Sequence, residues 1–145
     1  MVLITISCDT RHKIIILRYN ETDPLNNGEL MQEIKKISEK LQYFVRDREW
    51  SQFHSPKNLA MALSVEVSEI LEELQWLTEA QSRDLPDGKK EKVRREIADV
   101  FIYLIMLADK YDIDLIEAAE DKIKINEKNY PVEKSRGSAK KYTEL

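Results

Sequence analysis

Glu66-Val67-Ser68-Glu69-Ile70-Leu71 and Glu96-Ile97-Ala98-Asp99-Val100-Phe101 are two copies of one pattern. Each sets two acids at i and i+3 inside a run that is otherwise apolar or small, and on a helix such acids leave the same face. The surrounding letters carry the helical period. Leu63, Val67, Ile70, Leu74 and Leu77 form one stripe, and Val93, Val100, Leu104 and Leu107 form the other. At ~100° per residue, Glu66, Glu69 and Glu73 fall within about 60° of one another at the stripe's edge. Glu96, Asp99 and Tyr103 take the matching edge of the second helix. A single pair of this kind reads as solvated acids, the usual state of helical carboxylates. Two pairs in register are different: antiparallel helices would converge four like charges beside a core, and such a group needs a cation.

Working outward, the stripe Leu30, Ile34, Ile37, Leu41 and Phe44 or Val45 marks a first helix ending near 46–49. A loop with Trp50, Phe53 and His54 follows. Ser55-Pro56 opens the second helix, with Ser as N-cap and Pro in the first turn, and the pattern carries it to about Thr78. Pro86-Asp87-Gly88 breaks the chain before a third helix over about 89–110. Asp114-Leu115-Ile116-Glu117, an Asp form of the capping box, opens a fourth that stops before Tyr130-Pro131. The fold class expected is therefore all-α, a four-helix bundle with short connections. Residues 1–28 stand apart. Val2–Ile6 and Lys13–Tyr19 are rich in β-branched residues and read as a hairpin or a disordered extension, with 20–28 as a linker. The expected organisation is an extension over 1–28, a helical domain over 29–131 and a polar, irregular tail over 132–145.

With 145 residues the chain suits one domain. A net charge of −4, from 27 acids and 23 bases, argues against a nucleic-acid polymer as partner. Cys8 is the only cysteine, which excludes an internal disulfide and a cysteine-based zinc site and suits a reducing cytoplasm. No apolar run is long enough to span a membrane, and the start lacks the basic and apolar regions of a signal peptide.

An oxygen-only ligand set is hard and suits Mg²⁺, with Mn²⁺ as substitute. Di-iron bundles use Glu-x-x-His, and neither His12 nor His54 lies three residues from these acids. Mg²⁺ held by a few carboxylates keeps positions open for phosphate oxygens, which points to a nucleotide polyphosphate.

At these residues the chain resembles the MazG-like all-α nucleoside triphosphate pyrophosphatases, and within them the dCTP pyrophosphatase branch. The likeness rests on Glu66-x-x-Glu69 with Glu96-x-x-Asp99, on Arg48-Glu-Trp50-Ser-Gln-Phe-His54, Pro56-Lys-Asn58-Leu, Glu73-Leu-Gln75-Trp76 and Asp99-Val-Phe-Ile-Tyr103-Leu, and on Tyr130-Pro131 with the ending Ser135–Leu145. It covers about residues 31–145. The resemblance implies Mg²⁺-dependent hydrolysis of a (deoxy)nucleoside triphosphate, dCTP or a modified dCTP, to the monophosphate and pyrophosphate. Carried over by position, it makes Glu66, Glu69, Glu96 and Asp99 the metal ligands, with Glu66 or Glu69 as general base. It sets Trp50 and Trp76 at the base, with His54, Tyr103, Lys122 and Asn126 near base, sugar or phosphate. It also implies a homodimer or homotetramer whose site takes help from a second subunit. The other readings are a broad-specificity pyrophosphatase of the same type and a non-catalytic nucleotide-binding or structural bundle.

Overall fold

The computed structural model describes residues 24–145. Six α-helices lie among them: α1 (Pro24–Asp47), α2 (Pro56–Leu74), α3 (Glu79–Arg83), α4 (Asp87–Asp109), α5 (Leu115–Asn129) and α6 (Val132–Ser135). Short 3₁₀ turns cover Trp50–Phe53 and Tyr142–Glu144. No strand occurs among the described residues, and α1, α2, α4 and α5 are the four long helices the apolar periods require. The hairpin expected over 2–19 lies outside the described residues.

The tail over 132–145, expected to be irregular, holds α6 and the 3₁₀ turn Tyr142–Glu144, because Pro131 opens a helical turn. Two helix boundaries also differ from the sequence expectation. The helix begins at Pro24, so the last residues of the supposed linker are its first turn. Proline is at home there, because the first N–H groups of a helix have no partner to lose. The second helix stops at Leu74 rather than Thr78, and Thr78 instead caps α3, a helix the apolar stripe through Leu77 concealed. Thr78 Oγ1 accepts from the Gln81 amide at 3.3 Å while the Thr78 amide donates to Gln81 Oε1 at 2.9 Å. This reciprocal pair satisfies two otherwise orphaned donors. Ser55 caps α2 as expected, accepting from the Asn58 amide, and Asn58 Nδ2 ties that first turn to the Phe53 carbonyl at 2.9 Å.

α2 and α4 are the most closely packed pair, and their cross-links show that they run antiparallel. Glu73, at the end of α2, meets Lys89 at 2.8 Å and Lys92 at 3.3 Å near the start of α4. Glu66, two turns earlier, meets Glu96 and Asp99, two turns later. Leu59 of α2 and Ile105 of α4 are each 1% exposed, and with Ala108 they are the buried apolar residues among those described. α1 lies on α4 through a polar clasp: buried Ser38 donates to Asp109 Oδ2 at 2.5 Å, and Gln42 Nε2 donates to the Ser38 hydroxyl at 3.3 Å.

Asp114 Oδ1 accepts from the amides of Ile116 and Glu117 and fixes the start of α5. Replacing it, Asp114→Ala, leaves both donors unsatisfied and should lower stability by about 1 kcal/mol, read as a lower urea midpoint at unchanged slope.

Candidate active site

The acid pairs meet. One carboxylate oxygen from each of Glu66, Glu96 and Asp99 lies within 4.8 Å of the others, and Glu69 stands in hydrogen-bonding contact with Glu96. Burial first, then the charges of Glu69 and Asp99, hold the Glu66 carboxyl above its ordinary value. Burial and contact with Glu69 do the same for Glu96. Raised acids facing one another are what an uncompensated cation site looks like, and three oxygen donors suit a hard divalent ion. Glu73, on the same edge of α2, is spent otherwise. Hydrogen bonds from Lys89 and then Lys92 pull its carboxyl below the usual range, so it closes the α2–α4 hairpin rather than joining the acids.

Beside the acids lies a cavity of about 350 Å³. Asp99 belongs to both, and the remaining lining comes from Leu41, Phe44 and Val45 of α1, Trp50 and His54 of the connecting turn, and Ile102, Tyr103 and Met106 of α4. The register of α4 explains the junction: Tyr103 and Met106 follow Asp99 at i+4 and i+7, on one face. Burial, then the charges of Glu66 and Asp99, keep the Tyr103 hydroxyl above its ordinary value, as expected for a phenol between the cavity and the acids.

Trp50 enters the cavity because Glu49 adopts a left-handed conformation, φ 55°, and turns the chain from α1 into the 3₁₀ turn. Its ring meets Phe44 edge-on at 5.8 Å and His54 at 6.4 Å. Arg48 covers Phe44, its guanidinium 3.6 Å from the ring centre and Nη1 donating to the Phe44 carbonyl at 3.1 Å. Burial, then the charge of nearby Lys110, lower the pKa of His54. Its Nδ1 is buried with no hydrogen-bond partner among the described residues.

Of the ten residues singled out in the sequence, the structure gathers Glu66, Glu69, Glu96, Asp99, Trp50, His54 and Tyr103 in one place. It does not bring the other three there from the same chain. Trp76, in the turn after α2, is 87% exposed and does not line the cavity. Lys122 and Asn126 are exposed on α5, which contributes nothing to the cavity. The sequence reading passed over Leu41, Phe44 and Met106 as lining. Only Phe44, paired with Arg48 at i+4, carried a local signal for that role.

The chain is similar to known proteins. The MazG-like family model matches residues 61–145, which include all four acids. The dCTP pyrophosphatase 1 of Mus musculus is 43% identical over 104 residues, and that of Homo sapiens 40%, each match covering 70% of this chain and 61% of the relative. The chain thus spans about three-fifths of the length of the curated relatives it matches. A crystal structure of a pyrophosphatase from Archaeoglobus fulgidus superposes with a TM-score of 0.65 at 39% identity, over 68% of this chain and 93% of that one. With a family model over more than half its length and a solved relative covered almost completely, the chain belongs to the MazG-like family.

Proposed function

We propose that the chain hydrolyses dCTP, or a cytosine-modified dCTP, to the monophosphate and pyrophosphate with Mg²⁺. The observation that carries this reading is the junction at Asp99, where a three-acid cation site opens into an aromatic-walled cavity. A ligand filling both parts must be anionic at one end and flat and apolar at the other, as a nucleoside triphosphate is. The names of the mouse and human relatives support the cytosine nucleotide.

In this reading Glu66, Glu96 and Asp99 hold the cation, with Glu69 as a fourth acid against Glu96. When bound, the ion neutralises triphosphate charge and acidifies a water. Glu69 or Glu66 takes the proton of the attacking water as it forms its bond to the α-phosphorus, and pyrophosphate leaves. Trp50 stacks on the base, Tyr103 packs its ring beside the sugar, and His54 presents a nitrogen to the base edge. The protein works as a homo-oligomer: on α2 and α4 the exposed Val67, Leu71, Ile97 and Phe101 need cover. A second subunit would also give Trp76 a surface to meet. No helix among the described residues is long and apolar enough to cross a membrane, and we place the enzyme in the cytoplasm with its substrate pool.

The test is pyrophosphate release from the four dNTPs and 5-methyl-dCTP, with Mg²⁺ and with EDTA. The cytosine nucleotides should give the highest kcat/KM, and EDTA should abolish release. Equal constants for all five would replace the cytosine reading with broad specificity. No release from any of them would leave a nucleotide-binding or structural bundle.

A further inference from the structure

Ser38 stands in the middle of the apolar stripe of α1. Ile34, Ile37, Leu41 and Val45 surround it at helical spacing, yet all four are only half-buried. Among the described residues the buried apolar side chains Leu59, Ile105 and Ala108 belong to α2 and α4, and the one buried side chain of α1 is the Ser38 hydroxyl, 8% exposed. A buried hydroxyl is costly without a partner, and this one donates to Asp109 Oδ2. Gln42, one turn on, donates from Nε2 to the same carboxylate oxygen at 3.4 Å as well as to the hydroxyl.

The seam between α1 and α4 is hollow on both sides of this clasp. A cavity of about 240 Å³ lies on one side, with Leu41, Gln42 and Asp109 in its lining, and another of about 240 Å³ on the other, with Ile34, Ser38 and Asp109. Directional polar bonds, rather than close-packed side chains, therefore set how far apart the two helices stand. The same helices wall the aromatic cavity beside the acids. Leu41, Phe44 and Val45 of α1 form one wall, and Ile102, Tyr103 and Met106 of α4 form another. At ~1.5 Å per residue the α1 wall begins about 5 Å along the helix from Ser38 and ends about 10 Å from it.

We propose that Ser38, Asp109 and Gln42 are positioning residues that fix the width of this cavity and so favour a pyrimidine over a purine nucleotide. None of the three lines the cavity itself, so they act through the α1 wall. With the clasp closed, the wall stands at the separation a single ring fills. With the clasp lost, the fraction of molecules holding that separation falls, and apparent affinity falls with it. The base takes no part in bond making, so the change is expressed in KM and not in kcat. The role rests on the pyrophosphatase reading for its kinetic readouts alone.

Pyrophosphate release by full-length variants tests it, at a temperature where circular dichroism shows each variant folded. Ser38→Ala and Asp109→Leu should each raise the KM for dCTP about tenfold, the scale of a hydrogen bond to a charged group, with kcat within about twofold of wild type. The double variant should be no worse than the worse single one, because the two side chains act through one bond. Asp109→Asn keeps an acceptor oxygen for Ser38 and should return KM to within about threefold of wild type. Without the clasp, the preference for dCTP over dATP in kcat/KM should shrink by about threefold or more. Variants that melt earlier but keep the wild-type KM and base preference, or that lose kcat alone, overturn the proposal. A readout free of chemistry uses Trp76→Phe, which leaves Trp50 as the sole tryptophan. The Trp50 ring rests on Phe44 of the α1 wall, so adding Ser38→Ala should make its fluorescence clearly easier to quench with acrylamide. Unchanged quenching overturns the clasp's hold on the wall whether or not the protein hydrolyses dCTP. Increased quenching in a chain that releases no pyrophosphate supports that hold and overturns the pyrophosphatase reading instead.

Discussion

Glu66→Gln should lower the turnover of pyrophosphate release by at least two orders of magnitude, equivalent to about 3 kcal/mol of barrier. The substitution keeps the shape of the side chain and removes a charge from the group proposed to hold the cation. Glu66 is also the one acid α2 contributes to the close trio with Glu96 and Asp99, so the remaining two both come from α4. Without it Glu69 is the only acid of α2 left beside the α4 pair, which weakens the cross-helix geometry proposed to set an ion against the triphosphate. The comparison variant is Glu91→Gln. Glu91 is an exposed-face acid whose hydrogen bonds with Arg94 and then Arg95 pull it down to about 2. It is a strongly acidic carboxylate on α4 outside the acid cluster, and its loss should leave turnover unchanged.

A second measurement separates a lost metal site from a damaged fold. An ion that binds only the native state raises the melting temperature with its concentration. Mg²⁺ should therefore raise the Tm of the wild type and of Glu91→Gln, and should barely move that of Glu66→Gln. A mutant that keeps both its turnover and its Mg²⁺ response removes Glu66 from the site. If it keeps the Mg²⁺ response and loses turnover, Glu66 acts on the water and not on the ion.

The acid site was legible in the sequence because its geometry is local. Acids at i and i+3 share a face on any helix, and the matching register of 66–71 and 96–101 survives folding unchanged. Glu73 shows the limit of that logic. It lies on the same edge of α2 but pairs with Lys89 and Lys92, a choice made by the neighbouring helix. The cavity was harder to read, since Leu41, Phe44 and Met106 obey the same apolar period whether they face a core or a ligand. For the start of α5 the cap at Asp114 was sufficient. Where α5 then goes is a matter of what docks on it, and periodicity holds no information about that. Trp76 is similar: it follows the end of α2, and a turn has no periodic face from which its direction can be inferred.

Trp50→Ala should raise the KM for dCTP roughly 5- to 150-fold with a smaller change in kcat, since stacking on an aromatic face is worth about 1–3 kcal/mol per base. The reasoning turns on which state the ring stabilises. Trp50 lines the cavity beside Phe44 and His54, whereas in the proposed reaction bond making and breaking occur at the acids beyond Asp99. The base undergoes no change there, so the ring holds substrate and transition state alike, and uniform binding is expressed in KM. The ring's neighbours sharpen the expectation. Phe44 meets Trp50 edge-on and is itself clamped by Arg48, so the indole is held before any ligand arrives. Arg48→Met should loosen that clamp and raise KM by less than Trp50→Ala does. Because a tryptophan face accepts every base, Trp50→Ala should weaken dCTP and dTTP by similar factors, leaving their ratio of kcat/KM nearly intact. The discrimination between them must then sit on a group that reads the base edge, and His54 Nδ1, buried without a partner among the described residues, is the group we propose for it. A Trp50→Ala variant that loses turnover at unchanged KM would move the base to another wall of the cavity.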